Sequence, residues 1–379
     1  MGDRVTLFGK EEKKVEYLEL VYDLIFVYIV GRNNALMHNF ENGFTTLGSF
    51  SAYVFCTLAI IQIWMFSTFY INLYGRNSVR DYVFLFTNMY LLYHMSTGIS
   101  TNWTENSYRF CIAWALILIN IAVQHFIEAR HHKAAPWELK QIYRRGGIIL
   151  IEALLVAAIT VFYAFTGISL TYIPVIFGIA ATALSGRTNM LVPVDFGHLS
   201  ERAMLYIVFT FGEMIIVISS YFDGKITPNS LYFSLMAFLI VVGLLLSYGV
   251  LYNRIIDRDK TTNGTLYMLI HVFLIFALNN ISVALEFMRD EEVANFPKTL
   301  FLTGSFVLCF TFMFLLGFYA KKRCGFNRKF ALVLTGMMIS FAALMLIFRE
   351  NMYVNIAISA AYVFGVFAML YYRGKRMEA

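Results

Sequence analysis

The chain has 379 residues, of which 59% are hydrophobic and 14% charged, and its mean hydropathy is +0.65. A soluble domain with a hydrated surface does not carry that composition, so we expect an all-α integral membrane protein. The cysteines, Cys56, Cys111, Cys309 and Cys324, lack the spacing of a redox pair or a metal site, so no metal and no cofactor are expected. The net charge of +6 does not indicate nucleic-acid binding, because the basic residues lie in short segments between apolar runs.

Apolar runs of about 20 residues, the length that crosses a bilayer, recur along the whole chain. We predict about twelve transmembrane helices, at 17–37, 47–71, 81–100, 107–128, 146–165, 169–186, 202–222, 230–252, 264–287, 298–319, 329–348 and 352–372. The sixth run is short and contains Pro174. The segment before the first run is polar and mixed in charge, so no cleavable signal peptide is expected.

The distribution of basic residues predicts the orientation of these helices. About 24 of the 30 Lys and Arg residues fall on the side that holds both termini. The other side has only Arg32, Arg109, Lys225, Arg289, Lys298 and Arg349. Because cytoplasmic loops are rich in Lys and Arg, we expect a multi-pass protein with both termini in the cytoplasm. The lipid bilayer is its expected environment. Whether the chain assembles into a homo-oligomer is left open.

Short matching segments indicate an internal repeat of two six-helix halves, 1–186 and 187–379. A Leu-Tyr-x-Arg segment is followed by a histidine in the next helix at nearly the same spacing in each half. These positions are Arg76 and His94 in the first half and Arg254 and His271 in the second. Because six is an even number, both halves enter the membrane from the same side, and the repeat is parallel. Coincidence among Leu- and Tyr-rich helices is the alternative.

Two carboxylates lie in the first run. Glu19 and Asp23 are four residues apart and therefore share one face of a helix, which continues outward to Asn34. An ionisable group inside a spanning helix costs about 2.5–3.5 kcal/mol on insertion scales, so each is a candidate functional site. Glu19 could equally lie in the headgroup layer, whereas Asp23 is one turn deeper and favours a functional or helix-pairing role.

The repeat suggests two acid–histidine pairs. Glu213 lies near the middle of the seventh run, at the position that corresponds to Asp23 in the first. His94 and His271 lie in the third and ninth runs, so the repeat pairs Asp23 with His94 and Glu213 with His271. Histidine titrates near neutral pH and can pass protons between carboxylates. The alternative is that each histidine is a hydrogen-bonded brace between helices.

A polar group precedes the seventh run. His198, Glu201 and Arg202 fall on one side of a helix start, with Ser200 as the expected helix cap, and could gate the inner mouth. Buried amides that line a pathway or link helices are expected at Asn34, Asn279 and Asn280. The sequence contains no phosphate-binding loop, zinc-protease motif or nucleophile elbow, and the loops are short, so we do not expect an enzyme.

Several of these segments resemble one protein family. Leu18-Glu19-Leu20-Val21-Tyr22-Asp23-Leu24-Ile25-Phe26-Val27 resembles the amino-terminal signature of the bacterial low temperature requirement A (LtrA) family. His198-Leu199-Ser200-Glu201-Arg202, followed by Phe211-Gly212-Glu213, resembles a second family segment. The resemblance implies a polytopic protein of the bacterial plasma membrane and leaves its biochemical activity undefined.

The residues and the resemblance together lead to a functional hypothesis. We expect a membrane transport protein that moves an ion or small solute, with protonation of buried carboxylates and histidines as part of its cycle. Asp23, Glu213 and Glu19 would carry the proton or cation, and His94 and His271 would relay it. The alternatives are a passive proton or cation channel, and a membrane sensor or scaffold in which buried polar groups only hold helices together.

Overall fold

A computed structural model describes residues 13–99, 103–131, 135–186, 193–222 and 226–375. Over these residues, each predicted run corresponds to an α-helix. The helices are α1 (Tyr17–Asn33), α2 (Leu47–Tyr74), α3 (Val79–Thr97), α4 (Trp103–His131), α5 (Pro136–Thr166), α6 (Tyr172–Gly186), α7 (Phe196–Ser219), α8 (Pro228–Val250), α9 (Thr265–Phe287), α10 (Asn295–Leu315), α11 (Arg328–Ile347) and α12 (Met352–Lys375).

Within the described residues, nine helices are long and apolar enough to cross a membrane. The remaining three are α1, α3 and α6, and α6 has only 15 residues. An all-α membrane protein is therefore confirmed. Twelve membrane crossings and the parallel repeat stay predictions.

Two helices, α5 and α7, begin six or more residues earlier than the sequence indicated. α5 begins at Pro136 because proline at the first helical position has its φ already set and needs no hydrogen-bond acceptor. α7 begins at Phe196, where the Asp195 carboxylate accepts a hydrogen bond of 3.1 Å from the backbone N–H of His198. The expectation that Ser200 caps this helix is therefore wrong, since Asp195 is a cap one turn earlier.

A short hairpin follows α1, where no strand was expected. Strands β1 (Phe40–Glu41) and β2 (Phe44–Thr45) pair through a two-residue turn. Asn42 and Gly43 have φ values of 52° and 80°, the positive angles of a type I′ turn. An Asn-Gly pair adopts these angles at low cost, so the dipeptide itself marks this turn.

The chain forms two compact units. Unit 1 comprises Met1–Asn39, Thr45–Tyr206 and Asp259–Val272. In unit 1, α2 packs against α1, α4 and α6, and 83% of its most apolar window is buried. α4 also packs along α3 and α5, so α2 and α4 form the core of this unit.

Unit 2 comprises Phe40–Phe44, Ile207–Arg258 and Phe273–Ala379. In this unit α8 packs along α12, and α11 packs against both α10 and α12. A π-helical turn, Leu251–Ile255, ends α8, and an antiparallel bridge joins Ile256 to Ala320. The division of the chain into two repeated halves, 1–186 and 187–379, stays a prediction.

Candidate functional site

Asp23 lies at the centre of a buried polar cluster in unit 1. Its side chain is fully buried, and the indole N–H of Trp64 in α2 donates to Oδ1 at 2.9 Å. The guanidinium of Arg202 in α7 donates to the same oxygen through Nη2, and to Oδ2 through Nε at 3.4 Å. Both carboxylate oxygens are therefore engaged, and this contact joins α1 to the first turns of α7.

Glu19 lies one turn before Asp23 on the same face of α1. Its Oε2 is 3.3 Å from Nε of Arg202 and 3.3 Å from Nε2 of His198. Glu19 and Asp23 are four residues apart on α1, as His198 and Arg202 are on α7, so each pair presents both side chains on one face. We call these four residues the carboxylate–arginine cluster.

Neighbouring groups set the orientation of His198. The Asn72 side chain accepts a hydrogen bond from the backbone N–H of Asp195 at 3.1 Å and donates to the backbone carbonyl of Asp195 at 2.8 Å. These bonds direct the amide N–H₂ of Asn72 toward Nδ1 of His198, 3.0 Å away. Nδ1 is thus the acceptor, so the proton of the neutral ring is on Nε2, facing Glu19.

Lys13 lies beside this cluster, before α1 begins. Its Nζ donates to the backbone carbonyls of Ile71 and, at 3.0 Å, of Gly75, at the carboxyl end of α2. Its backbone N–H donates to Asp195 Oδ2 at 3.0 Å. A cation at this end of a helix offsets the negative end of its dipole. Burial lowers the pKa of Lys13 below its ordinary value, and the nearby Glu19 carboxylate partly opposes this shift.

The carboxylate–arginine cluster contains two carboxylates and one guanidinium, and the ammonium group of Lys13 lies beside it. Glu19 and Asp23 face one guanidinium, that of Arg202, while His198 is neutral as its hydrogen bonds indicate. Among the described residues, Glu19 Oε1 has no hydrogen-bond partner although the residue is only 3% exposed. The cluster can therefore accept one proton or one monovalent cation at this oxygen without breaking an existing contact.

Glu19 also lines a pocket. The pocket lies among the amino-terminal ends of α1 and α3, the carboxyl-terminal end of α2, and α4, all within unit 1. It leaves about 40 Å³ for the centres of water molecules, enough for about two or three waters. Two more acidic residues, Glu16 and Asp81, line it together with the rings of Tyr22 and Tyr70. The pocket thus supplies a polar space beside the unpaired oxygen of Glu19.

Asp23 is bound by Arg202 and Trp64 rather than by His94, and the pairing expected from the repeat is corrected accordingly. His94 is exposed on α3, and its ring packs against those of Tyr90 and Tyr93. The physical reason is that an arginine gives Asp23 a permanent charge and two donors, which a histidine cannot match.

The other predicted site residues have different surroundings. Glu213 is half-buried on the part of α7 that belongs to unit 2, whereas His271 belongs to unit 1. His271 is fully buried, and its Nδ1 lies 2.9 Å from the backbone carbonyl of Tyr267. Their pairing stays a prediction. Glu201 is half-buried, and none of the hydrogen bonds or ion pairs of the described residues joins it to the cluster.

The predicted amides are all buried. Asn34 is 5% exposed, at the start of a 3₁₀ turn after α1, and Asn279 and Asn280 are 2% and 6% exposed on α9. Asn33, which precedes Asn34, links α1 to α2. Its side chain donates to the backbone carbonyl of Tyr53 at 3.0 Å and to Thr57 Oγ1 at 2.8 Å. A lining role for the three predicted amides stays a prediction.

Sequence reasoning missed three supporting residues, Lys13, Trp64 and Asn72. Trp64 had a usable signal, because an indole N–H in the middle of an apolar helix needs an acceptor. Asn72 and Lys13 had none, since their partners are backbone groups that the fold alone brings close. The described residues hold no group of three or more His, Cys, Asp or Glu side chains that could bind a metal.

A second buried carboxyl group lies elsewhere in unit 1. Glu152 of α5 is fully buried, and Gln62 of α2 donates to its Oε2 at 3.3 Å. Gly178 of α6 lies directly against both, because a Cβ there would be 1.9 Å from Gln62 Nε2. Three helices meet at this contact, which requires a glycine.

The comparisons with known proteins bear on the sequence segments that build the cluster. A search of curated proteins found no match. The model of one family, described as bacterial low temperature requirement A protein (LtrA), matches residues 14–368 and so includes every member of the carboxylate–arginine cluster. With this match over nearly its whole length and its apolar helices, the chain belongs to the LtrA family of bacterial membrane proteins.

Proposed function

We propose that this protein is a transporter of the bacterial plasma membrane, with both termini in the cytoplasm, and that it moves an ion or small solute as Glu19 binds and releases a proton or cation. The observation that supports this proposal is the asymmetry of the Glu19 carboxylate. Its Oε2 lies 3.3 Å from Arg202 Nε and 3.3 Å from His198 Nε2, while its Oε1 has neither an ion pair nor a hydrogen bond among the described residues, and Glu19 lines the pocket. In this proposal the protein is not an enzyme.

Asp23 has a different role in the proposal from the one expected of it. Both of its oxygens are bound, and its contact with Arg202 is fully buried. Protonating it would leave the Arg202 charge without its partner in a medium of low dielectric constant, which is costly. Asp23 therefore anchors Arg202, and Arg202 positions the carboxylate of Glu19, which does the exchanging.

His198 completes the arrangement on the other side of Glu19. Its Nε2–H faces Glu19 Oε2, so it stabilises the ionised carboxylate and releases it when the carboxylate becomes neutral. The positive charges of Lys13 and Arg202 and the negative charge of Asp23 act on Glu19, with the acidic lining of the pocket on the open side. A proton or cation arriving from the pocket thus meets the carboxylates of Glu16, Glu19 and Asp81.

Flux measurements with purified protein test the proposal. The protein is reconstituted into liposomes that contain a pH-sensitive dye, and a potassium gradient with valinomycin sets the voltage. We expect a protein-dependent change of internal pH that is lost in Glu19→Gln and kept in Glu350→Gln, a control at an exposed carboxylate. Size-exclusion profiles in detergent establish that both variants are folded. Wild-type flux in Glu19→Gln would overturn the assignment.

Glu213 and the two histidines enter the same experiment as further arms. If the sequence repeat reflects two equivalent pathways, Glu213→Gln and His271→Gln reduce flux as Glu19→Gln does. If only the cluster of unit 1 exchanges protons, both variants transport like the wild type. His94→Gln is compared with His271→Gln, because His94 is the corresponding histidine of unit 1, is exposed and lies outside the cluster.

The alternatives are distinguished by the form of the response. A passive proton or cation channel gives flux that follows voltage and needs no second solute. A scaffold or sensor gives no flux under any gradient, and the same substitutions then lower thermal stability instead. The scaffold or sensor is the second candidate function, and the buried Asp23–Arg202 contact favours it. Such a pair holds two helices together whether or not anything is transported.

A further inference from the structure

The pocket beside Glu19 has a chemical character that the proposed function does not specify. Of the described residues that line it, none is Lys or Arg, while Glu16, Glu19 and Asp81 are acidic. An acidic cluster alone does not make a site. Four buried polar atoms of the lining residues have no hydrogen-bond partner among the described residues: Glu19 Oε1, Glu19 Oε2, Asp81 Oδ1 and the Tyr70 hydroxyl. Two of these, Glu19 Oε2 and Asp81 Oδ1, lie 3.3 Å and 3.7 Å from an arginine, and the other two have no ion pair in the described part of the chain.

The two atoms without an ion pair are Glu19 Oε1 and the hydroxyl of Tyr70. Tyr70 is 1% exposed and Glu19 is 3% exposed, and both polar atoms lack a hydrogen-bond partner among the described residues. Leaving a buried polar group unsatisfied costs about 1–3 kcal/mol, so two such groups facing one pocket indicate a ligand with hydrogen-bond donors. Tyr70 Oη can accept such a bond, as can a carboxylate oxygen.

The other acidic groups of the lining have contacts of their own, and Asp81 Oδ1, which makes no hydrogen bond among the described residues, lies 3.7 Å from Arg80 Nη2. Asp81 Oδ2 accepts from the backbone N–H of Ser78 at 3.3 Å in the capping box of α3, and from the backbone N–H of Arg76 at 3.0 Å. Glu16 Oε1 accepts from the Asn77 amide at 3.3 Å. Both carboxylates nevertheless make the potential of the pocket negative, which favours a cation.

The rest of the lining favours an organic cation over a bare metal ion. Leu18, Ile71 and Leu85 supply an apolar wall, and the rings of Tyr22 and Tyr82 lie in the same lining. Aromatic faces attract ammonium groups, and an alkyl chain gains from apolar contact. The pocket has room for a ligand of about three non-hydrogen atoms.

We infer that this pocket binds a short-chain primary ammonium ion, with its N–H groups donating to Glu19 Oε1 and Tyr70 Oη and its alkyl part against Leu18, Ile71 and Leu85. This inference rests on the proposed function for the same site and names the class of its solute. Binding of the ammonium group and protonation of Glu19 exclude each other, because both use Oε1, so Glu19 must release its proton before the ligand binds.

Calorimetric titration of the purified full-length protein in detergent tests the inference directly. The titrants are ethylammonium chloride, potassium chloride and n-propanol in phosphate buffer at constant ionic strength. Ethylammonium is expected to bind, and neither potassium nor the neutral propanol is expected to compete with it. Potassium that binds as tightly as ethylammonium, or propanol that does so, would overturn the assignment of an organic cation. The absence of ethylammonium binding would overturn it as well.

Two variants locate the binding. Tyr70→Phe keeps the ring and removes only a hydroxyl that has no hydrogen-bond partner among the described residues, so we expect the fold to be unaffected and any loss of affinity to report on the ligand. We expect its affinity for ethylammonium to fall about ten-fold, the value of one hydrogen bond to a charged group. Glu19→Gln should abolish binding. Tyr362→Phe is the matched control, since Tyr362 Oη in unit 2 also lacks a partner among the described residues.

The outcomes separate this inference from the proposed function. Wild-type affinity in Tyr70→Phe contradicts the pocket as the binding site. Ethylammonium binding without flux in liposomes supports the ligand and contradicts transport. Flux that is lost in Glu19→Gln, from a protein that gives no heat with ethylammonium, supports transport and contradicts the ligand.

Discussion

The guanidinium of Arg202 in α7 contacts the carboxylate of Asp23 in α1 while both side chains have 0% exposure. The two residues are far apart in the chain, and the contact belongs to unit 1. Removing one member leaves the other charge buried and unpaired, which costs more than the pair itself contributes. This relationship gives the first test of the structure.

We expect Arg202→Met to lower the free energy of unfolding by about 3–5 kcal/mol. The double variant Arg202→Met, Asp23→Asn should recover part of this loss, because it removes the unpaired charge as well. Denaturant unfolding in detergent, followed by circular dichroism, measures both values. A double variant that is as unstable as the sum of the two single variants would contradict the contact.

The junction of α2, α5 and α6 is tested with glycine substitutions. A Cβ at Gly178 would lie 1.9 Å from Gln62 Nε2 and 2.1 Å from Glu152 Oε2, so Gly178→Ala must displace both side chains. We expect a loss of about 1–3 kcal/mol, the usual cost of overpacking. Gly147→Ala on α5 is the control, because its Cβ meets nothing within 4 Å and alanine favours a helix. Equal stabilities of the two variants would disagree with this packing.

The protonation of His198 can be observed by ¹⁵N NMR of histidine-labelled protein. The hydrogen bond from Asn72 predicts that the neutral ring of His198 carries its proton on Nε2. Asn72→Ala removes this constraint, so a mixture of the two tautomers is expected. The signal is identified by its loss in His198→Gln. A wild-type ring protonated on Nδ1 is the result that would refute the proposed geometry.

Lys13 predicts a particular dependence of stability on alkaline pH. Burial lowers the pKa of Lys13 in the folded state below 10.5, so between the folded and unfolded pKa values the unfolded chain binds more protons. The contribution of Lys13 to stability therefore rises with pH in this window and is constant above it. The penalty for burying the charged amine applies in full below the folded pKa.

The comparison that isolates this contribution is with Lys13→Met. The difference in free energy of unfolding, wild type minus variant, should increase as the pH approaches 10.5, since other titrating groups cancel. Thermal unfolding at a series of pH values between neutral and 10.5 measures it. A difference that decreases with pH would mean that the folded state favours the charged amine.

Much of the architecture follows from local patterns in the chain. Each apolar run became an α-helix, because a run of apolar residues in a membrane satisfies its backbone only by internal hydrogen bonds. The boundaries differed where polar residues extended a helix beyond its apolar part, as before α7, where Asp195 is the cap. The Asn42–Gly43 turn is also encoded locally, because an Asn-Gly pair favours positive φ angles, but a pattern of long apolar runs does not predict it.

The candidate site depends less on local patterns and more on contacts between helices. The spacing of Glu19 and Asp23 and that of His198 and Arg202 each predicted a shared helix face, since four residues make about one helical turn. The sequence repeat then matched Asp23 with the wrong base, because a repeat compares positions along the chain and contains no information on which helices touch.

The sequence alone determines that this is an all-α membrane protein of the LtrA family. It also determines which acidic and basic groups share a helix face, since composition and periodicity are properties of neighbouring residues. Only the tertiary structure decided that Arg202 binds Asp23, that Asn72 orients His198, and that Glu19 keeps one oxygen unpaired toward a pocket. The physical reason is that these contacts form between helices distant in the chain, where packing and the cost of burying charge select the partners.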